Sequence, residues 1–84
     1  VQTCALPISH VHAEQGCLEY GPTIDIETGI PVQIALRPNV VTIIERWESL
    51  DSLKAHLIAP HMHEYRARVK DIVKGVTLQV TEPV

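Results

Sequence analysis

The 84-residue sequence has little of what most readily declares a function. It holds two cysteines, Cys4 and Cys17, which are too few for a disulfide scaffold and do not stand at zinc-ligand spacing from a histidine. A reducing, cytoplasmic setting suits them. Positive charge is scarce: seven Lys and Arg face ten Asp and Glu, for a net charge of -3 with neutral histidine. No basic block stands out, so nucleic acid and anionic membrane surfaces are not expected partners. The longest apolar run is far too short to cross a bilayer, and the first residues have neither the basic region nor the apolar stretch of an export signal. There is no glycine-rich phosphate loop, no Ser-His-Asp arrangement and no Cys-His pair.

What is present points to a folded domain. Hydrophobic residues make up 45% of the chain, more than a disordered sequence carries. A chain this short builds one small core, so a sizeable pocket calls for a second subunit, and a homodimer is the first expectation.

The opening residues are unlike the rest. Residues 1–8 (VQTCALPI) read as neither helix nor strand, and one reverse translation of them resembles the end of a short-read sequencing adapter. Residues 1–9 are therefore expected to be a non-native or disordered leader, with a partial domain over 10–84.

Along that domain, residues 10–15 suit the last turn of a helix with Gly16 as its left-handed cap. Residues 17–26 (CLEYGPTIDI) alternate as a strand interrupted by Gly21 and Pro22. Residues 27–39 form a long loop, a candidate lid, punctuated by Gly29, Pro31 and Pro38. Residues 40–47 (VVTIIERW) are the clearest strand, one face of which carries Val41, Ile43, Glu45 and Trp47. Ser49 is placed to cap a helix over 50–59 with Leu50, Leu53 and Leu57 on one face. After Pro60 a second helix over 61–74 carries Met62, Tyr65, Val69, Ile72 and Val73 on one stripe, with Gly75 as its cap. Residues 76–80 alternate as a last strand. The order is that of a ferredoxin-like β-α-β-β-α-β unit, an α+β fold, lacking the first strand and most of the first helix.

Histidines draw attention first. His56, His61 and His63 cluster around Pro60, and histidines on helices are ordinary metal ligands. A one-face pair needs a spacing of four, whereas His56 and His61 stand five apart with a proline between, and no carboxylate or cysteine completes the set. No metal site is expected. Glu45 and Trp47, the sole tryptophan, share a strand face; a tryptophan usually packs, and a carboxylate on an apolar face needs a partner. Tyr20 and Tyr65 offer phenolic donors to a pocket, although Tyr65 lies on the apolar stripe. His63 reads as a solvated or hydrogen-bonding helix-end residue.

The runs GCLEY at 16–20, ERWESLDSLKAHL at 45–57 and PHMHEYRARVKDIVKG at 60–75 resemble the antibiotic biosynthesis monooxygenase family. The most specific part is the ordered set Gly16-Cys17-Leu18, Glu45 to Ser49, Ala55-His56-Leu57 and Pro60-His61. The resemblance implies a dimeric α/β barrel with a pocket between sheet and helices in each subunit. It also implies oxidation of a phenolic or quinol-type small molecule by O2 with no cofactor, metal or flavin. Trp47 would then stack on a flat ring, with Glu45, Tyr65 and Tyr20 beside the substrate. His56 and His61 would transfer protons or bond to substrate oxygens, since the unperturbed histidine pKa lies near neutrality. The loop at 28–39 is longer than that family's hairpin. Because one fold serves several chemistries, a non-enzymatic dimeric small-molecule-binding or stress protein and a haem-binding or haem-degrading protein stand as alternatives.

Overall fold

The computed structural model describes residues 6–84, so the expected leader lies outside the described residues as far as residue 5. Five elements follow in order: α1 (Ile8–His12), β1 (Cys17–Thr23), β2 (Thr42–Trp47), α2 (Leu50–Leu57) and α3 (Pro60–Val69). Helices cover a two-stranded antiparallel sheet, an α+β arrangement as the pattern of apolar residues requires.

The two strands pair Tyr20 with Glu45, Gly21 with Ile44 and Thr23 with Thr42, and a register irregularity between Cys17 and Glu19 sets Cys17 opposite Trp47. Directly opposed residues share a face. Tyr20, Cys17, Ile43 and Trp47 thus turn toward the helices, while Glu19 and Arg46 form an ion pair at 2.9 Å on the other face. Val11 of α1, Tyr20 of β1 and Met62 of α3 are buried at the centre, with Ile8, Ile43, Trp47, Ala59 and Tyr65 packed around them. Val11 is fully buried, which contributes roughly 1.5–3 kcal/mol of hydrophobic stabilisation.

Local chemistry explains how each helix begins. Ser49 adopts an extended conformation and its Oγ accepts the amide of Ser52 at 3.1 Å, with Asp51 in the first turn, so α2 starts where the sequence places it. Pro60 occupies the first turn of α3, where its missing N–H is no loss. It starts a helix as well as ending the previous one.

Several boundaries differ from the sequence reading. Helix α1 runs from Ile8, in the expected leader, only to His12, and a tight turn from Ala13 to Gly16 takes the place of the expected last turn at 10–15. Gly16 is left-handed as expected, at φ +86°, but within that turn. Strand β1 ends at Thr23, because residues beyond it meet no partner strand among the described residues. Instead Arg37 clamps Asp25 through its backbone N–H and two guanidinium bonds of 2.8 and 2.9 Å, closing the long loop. Strand β2 begins at Thr42 and α2 ends at Leu57.

The C-terminal third departs most. Helix α3 stops at Val69 instead of continuing to residue 74, because Ile72 and Val73 find no surface to pack on and stand exposed; a short helix persists only where an apolar face is buried. Gly75 does not adopt the left-handed conformation of a cap. Residues 76–80 form no strand, since alternation without a neighbouring ladder leaves the backbone unpaired, and Val76 and Leu78 are exposed. On α2 the expected leucine face is also shifted: Leu50 is 56% exposed and the fully buried side chain is His56.

Candidate active site

Burying an imidazole among apolar groups is costly unless its nitrogens are satisfied. His56 is 1% exposed, and both its nitrogens face carboxylates. Its Nδ1 lies 3.0 Å from Glu14 Oε2 and 3.2 Å from Oε1, while Nε2 faces Glu45 Oε1 at 3.9 Å. The ring is walled by aromatics: Trp47 lies against it at 4.7 Å between centroids, and Tyr20 meets it edge-on at 5.5 Å.

Glu14 is the residue that sequence reasoning missed. It sits in the turn between α1 and β1, and the same carboxylate that binds His56 also accepts from His61 Nε2 at 2.6 Å. The break at Ile58 and Ala59 explains how histidines five apart converge. Amides 58 and 59 bond back to Ala55 and His56, and the chain re-enters a helix at Pro60 with His61 turned toward the same carboxylate. The expectation that no carboxylate completes the histidine set is therefore corrected, because the partner arrives from 42 and 47 residues away. Glu14, His56 and His61 bring three ligand-capable atoms within 4.8 Å of one another, a set able to hold a metal ion. The missed signal was an acidic residue two positions before the left-handed Gly16.

Glu45 and Trp47 lie on one strand face as expected, and the indole Nε1–H donates to Glu45 Oε1 at 2.8 Å. Both line a cleft of about 1100 Å³ with Leu18, Ile43 and Leu53, closed on one side by residues 78–83. His56 lies behind Trp47 rather than on the cleft wall. His61 instead lines a smaller cavity of about 460 Å³ with His10, Glu64 and Arg68. His63 is exposed and apart from the cluster.

The tyrosines belong to the core. Tyr20 is 5% exposed, and burial, followed by the negative charge of Glu45, pushes its phenol up to about 12, so it stays neutral and able to donate. Its carbonyl accepts a 2.8 Å bond from His12 Nε2–H. Tyr65 packs against the central cluster with Arg68 over its ring. Cys17 is a free thiol whose pKa is raised by burial and then by Glu14 and Glu45, which keeps it protonated and a poor nucleophile.

A small α+β domain with a buried carboxylate–histidine cluster behind an aromatic-walled cleft has the equipment to bind a flat molecule and move protons beside it. Residues 3–68 match the family model described as antibiotic biosynthesis monooxygenase, and the chain belongs to that family, whose fold is ferredoxin-like α+β. Relatives include the "Probable quinol monooxygenase YgiN" of Escherichia coli strain K12, of Escherichia coli O157:H7 and of Shigella flexneri. Each is 37% identical over 70 residues, which is 83% of this chain. The chain spans 66% of the length of these relatives. Among the described residues no helix is long and apolar enough to cross a membrane.

Proposed function

We propose that this protein is an oxidoreductase that oxidises a phenolic or quinol-type small molecule with O2, the substrate supplying the electrons. The observation that carries the reading is a line of proton-holding groups from cleft to cavity: Glu45 on the cleft wall, His56 behind it, then Glu14, then His61. Family membership and the likeness to proteins named as probable quinol monooxygenases support the same reaction class.

An aromatic ring enters the cleft against Trp47, whose indole offers a flat apolar face. Glu45, oriented by the Trp47 N–H, accepts the phenolic proton, and His56, Glu14 and His61 hold and pass it away from the reacting oxygen. The resulting phenolate is electron-rich enough to reduce O2. Replacing one ring C–H by C–OH with one oxygen atom, while the quinol becomes the quinone, yields four electrons and releases the other oxygen as water. The balance closes without an external reductant. Tyr20 and Tyr65 hold the wall of the site between the sheet and α3.

The proposed assembly is a homodimer in the cytoplasm, in which a second copy closes the open side of the cleft. Mass measurement in solution tests the dimer. For the reaction, oxygen consumption by the chelator-treated full chain with a panel of hydroquinones and anthrone-like phenols is the direct test. One O2 consumed per quinol is expected, and the absence of uptake across the panel would sink the proposal.

A further inference from the structure

We propose that Glu14, His56 and His61 form a binding site for one divalent first-row transition ion, with Zn2+ as the matching probe. Two neutral histidines and one carboxylate are a complete protein ligand set for a zinc centre that keeps one position open. Imidazole suits the borderline ions of the first row, and the carboxylate supplies the negative charge that offsets desolvation of the cation.

The geometry is close to what such an ion requires. Ligands held tetrahedrally at about 2.0–2.1 Å from zinc lie about 3.3 Å from one another. Glu14 Oε2 now lies 3.0 Å from His56 Nδ1 and 2.6 Å from His61 Nε2, and all three ligand atoms fall within 4.8 Å. The ion takes the place of the two protons that the carboxylate shares with the imidazoles. The His56 contact opens by about 0.3 Å and the His61 contact by about 0.7 Å, and the nitrogens draw together around the ion. Glu14 is on a turn, the part of the scaffold best able to make that adjustment.

Surroundings support the set in three ways. His56 turns its other ring nitrogen toward Glu45 at 3.9 Å, longer than a direct hydrogen bond but close enough for the carboxylate charge to favour a metal-bound ring. Trp47 and Tyr20 wall the ring and keep water away from that side. His61 opens on the smaller cavity, which gives an entry path and room for a fourth ligand, and the His10 ring lies 5.5 Å from it there.

The inference goes beyond the proposed oxidation, and the two are coupled. An ion on these atoms occupies the nitrogens and oxygen that pass the proton, so the loaded protein loses the path from Glu45 to His61. Metal is thus an inhibitor of that reaction.

The test is a titration of the chelator-treated full chain with Zn2+ by calorimetry, and with Co2+ by visible absorption. One ion per chain is expected, with the intense absorption of four-coordinate Co2+. Affinity should fall by about tenfold or more in Glu14→Gln and in the more exposed His61→Asn, and stay unchanged in His63→Gln. No saturable binding, or binding equally strong in His61→Asn and wild type, overturns the site. Because binding is read without substrate, its failure is separate from that of the oxidation, which is read as O2 uptake by metal-free protein.

Discussion

Nδ1 of His56 and the Glu14 carboxylate stand 3.0 Å apart, a contact that ties α2 to the turn between α1 and β1, 42 residues away. A buried imidazole deprived of this acceptor is left with an unsatisfied N–H. Glu14→Gln keeps the size of the side chain but loses the charge and one acceptor. It should cost about 1–3 kcal/mol of stability, measured by urea unfolding, and reduce O2 uptake with a quinol by about a hundredfold or more. Equal rates in Glu14→Gln and wild type would remove Glu14 from the proton path.

How much of this was readable in the sequence differs by element. The strand ending in Trp47, the serine cap at Ser49 and the role of Pro60 all depend on residues within a turn of one another, and their signals are local. Glu45 and Trp47 were placed on one face by alternation alone. Glu14 was invisible because its role depends on a contact across the whole fold, and neither periodicity nor composition reports such contacts. The C-terminal residues 76–80 alternate like a strand, yet a strand exists only through its neighbour's hydrogen bonds. His56 was legible as a candidate but not as the buried side chain of α2, because its burial depends on Glu14 and Glu45.

Gly16 tests the turn that positions Glu14. It stands at φ +86°, and an added Cβ would lie 2.2 Å from Ser52 Oγ and 2.7 Å from Ser52 Cβ. Gly16→Ala therefore imposes left-handed strain and pushes the turn away from the first turn of α2 at once. A loss of about 1–3 kcal/mol is expected in chemical denaturation. Gly21→Ala, where nothing lies within 4 Å of an added Cβ, should be much milder. Comparable losses for the two would show that the turn does not press on α2.

Asp25 offers a pH prediction away from the site. Its hydrogen bonds to the Arg37 guanidinium and amide hold the carboxyl down at about 2. A depressed carboxylate contributes stability above its unfolded pKa, and that contribution is lost as pH falls from the ordinary aspartate range through the folded value. The clamp on the long loop should therefore release only in strong acid. A carbon-13 titration of the Asp25 carboxyl should show a midpoint near 2, returning to the usual range of about 3.9 in Arg37→Gln. An ordinary midpoint in the wild type would mean that the clamp is open in solution.

Trp47 reports on the cleft directly, because it is the only tryptophan in the chain. A flat ring stacked on the exposed side of the indole, with His56 on the other, should quench its fluorescence saturably. Trp47→Phe keeps an aromatic face beside His56 but removes the N–H that fixes Glu45. The carboxylate is then free to turn, so the orientation of the bound phenol suffers along with the stacking area. KM for a hydroquinone should rise by about tenfold, the equivalent of one lost hydrogen bond of roughly 1.4 kcal/mol. Restoring the donor without the full indole, in Trp47→His, should recover part of that loss if orientation of Glu45 is what matters. If the histidine variant binds no better than the phenylalanine variant, the indole acts through stacking alone and Glu45 needs no anchor.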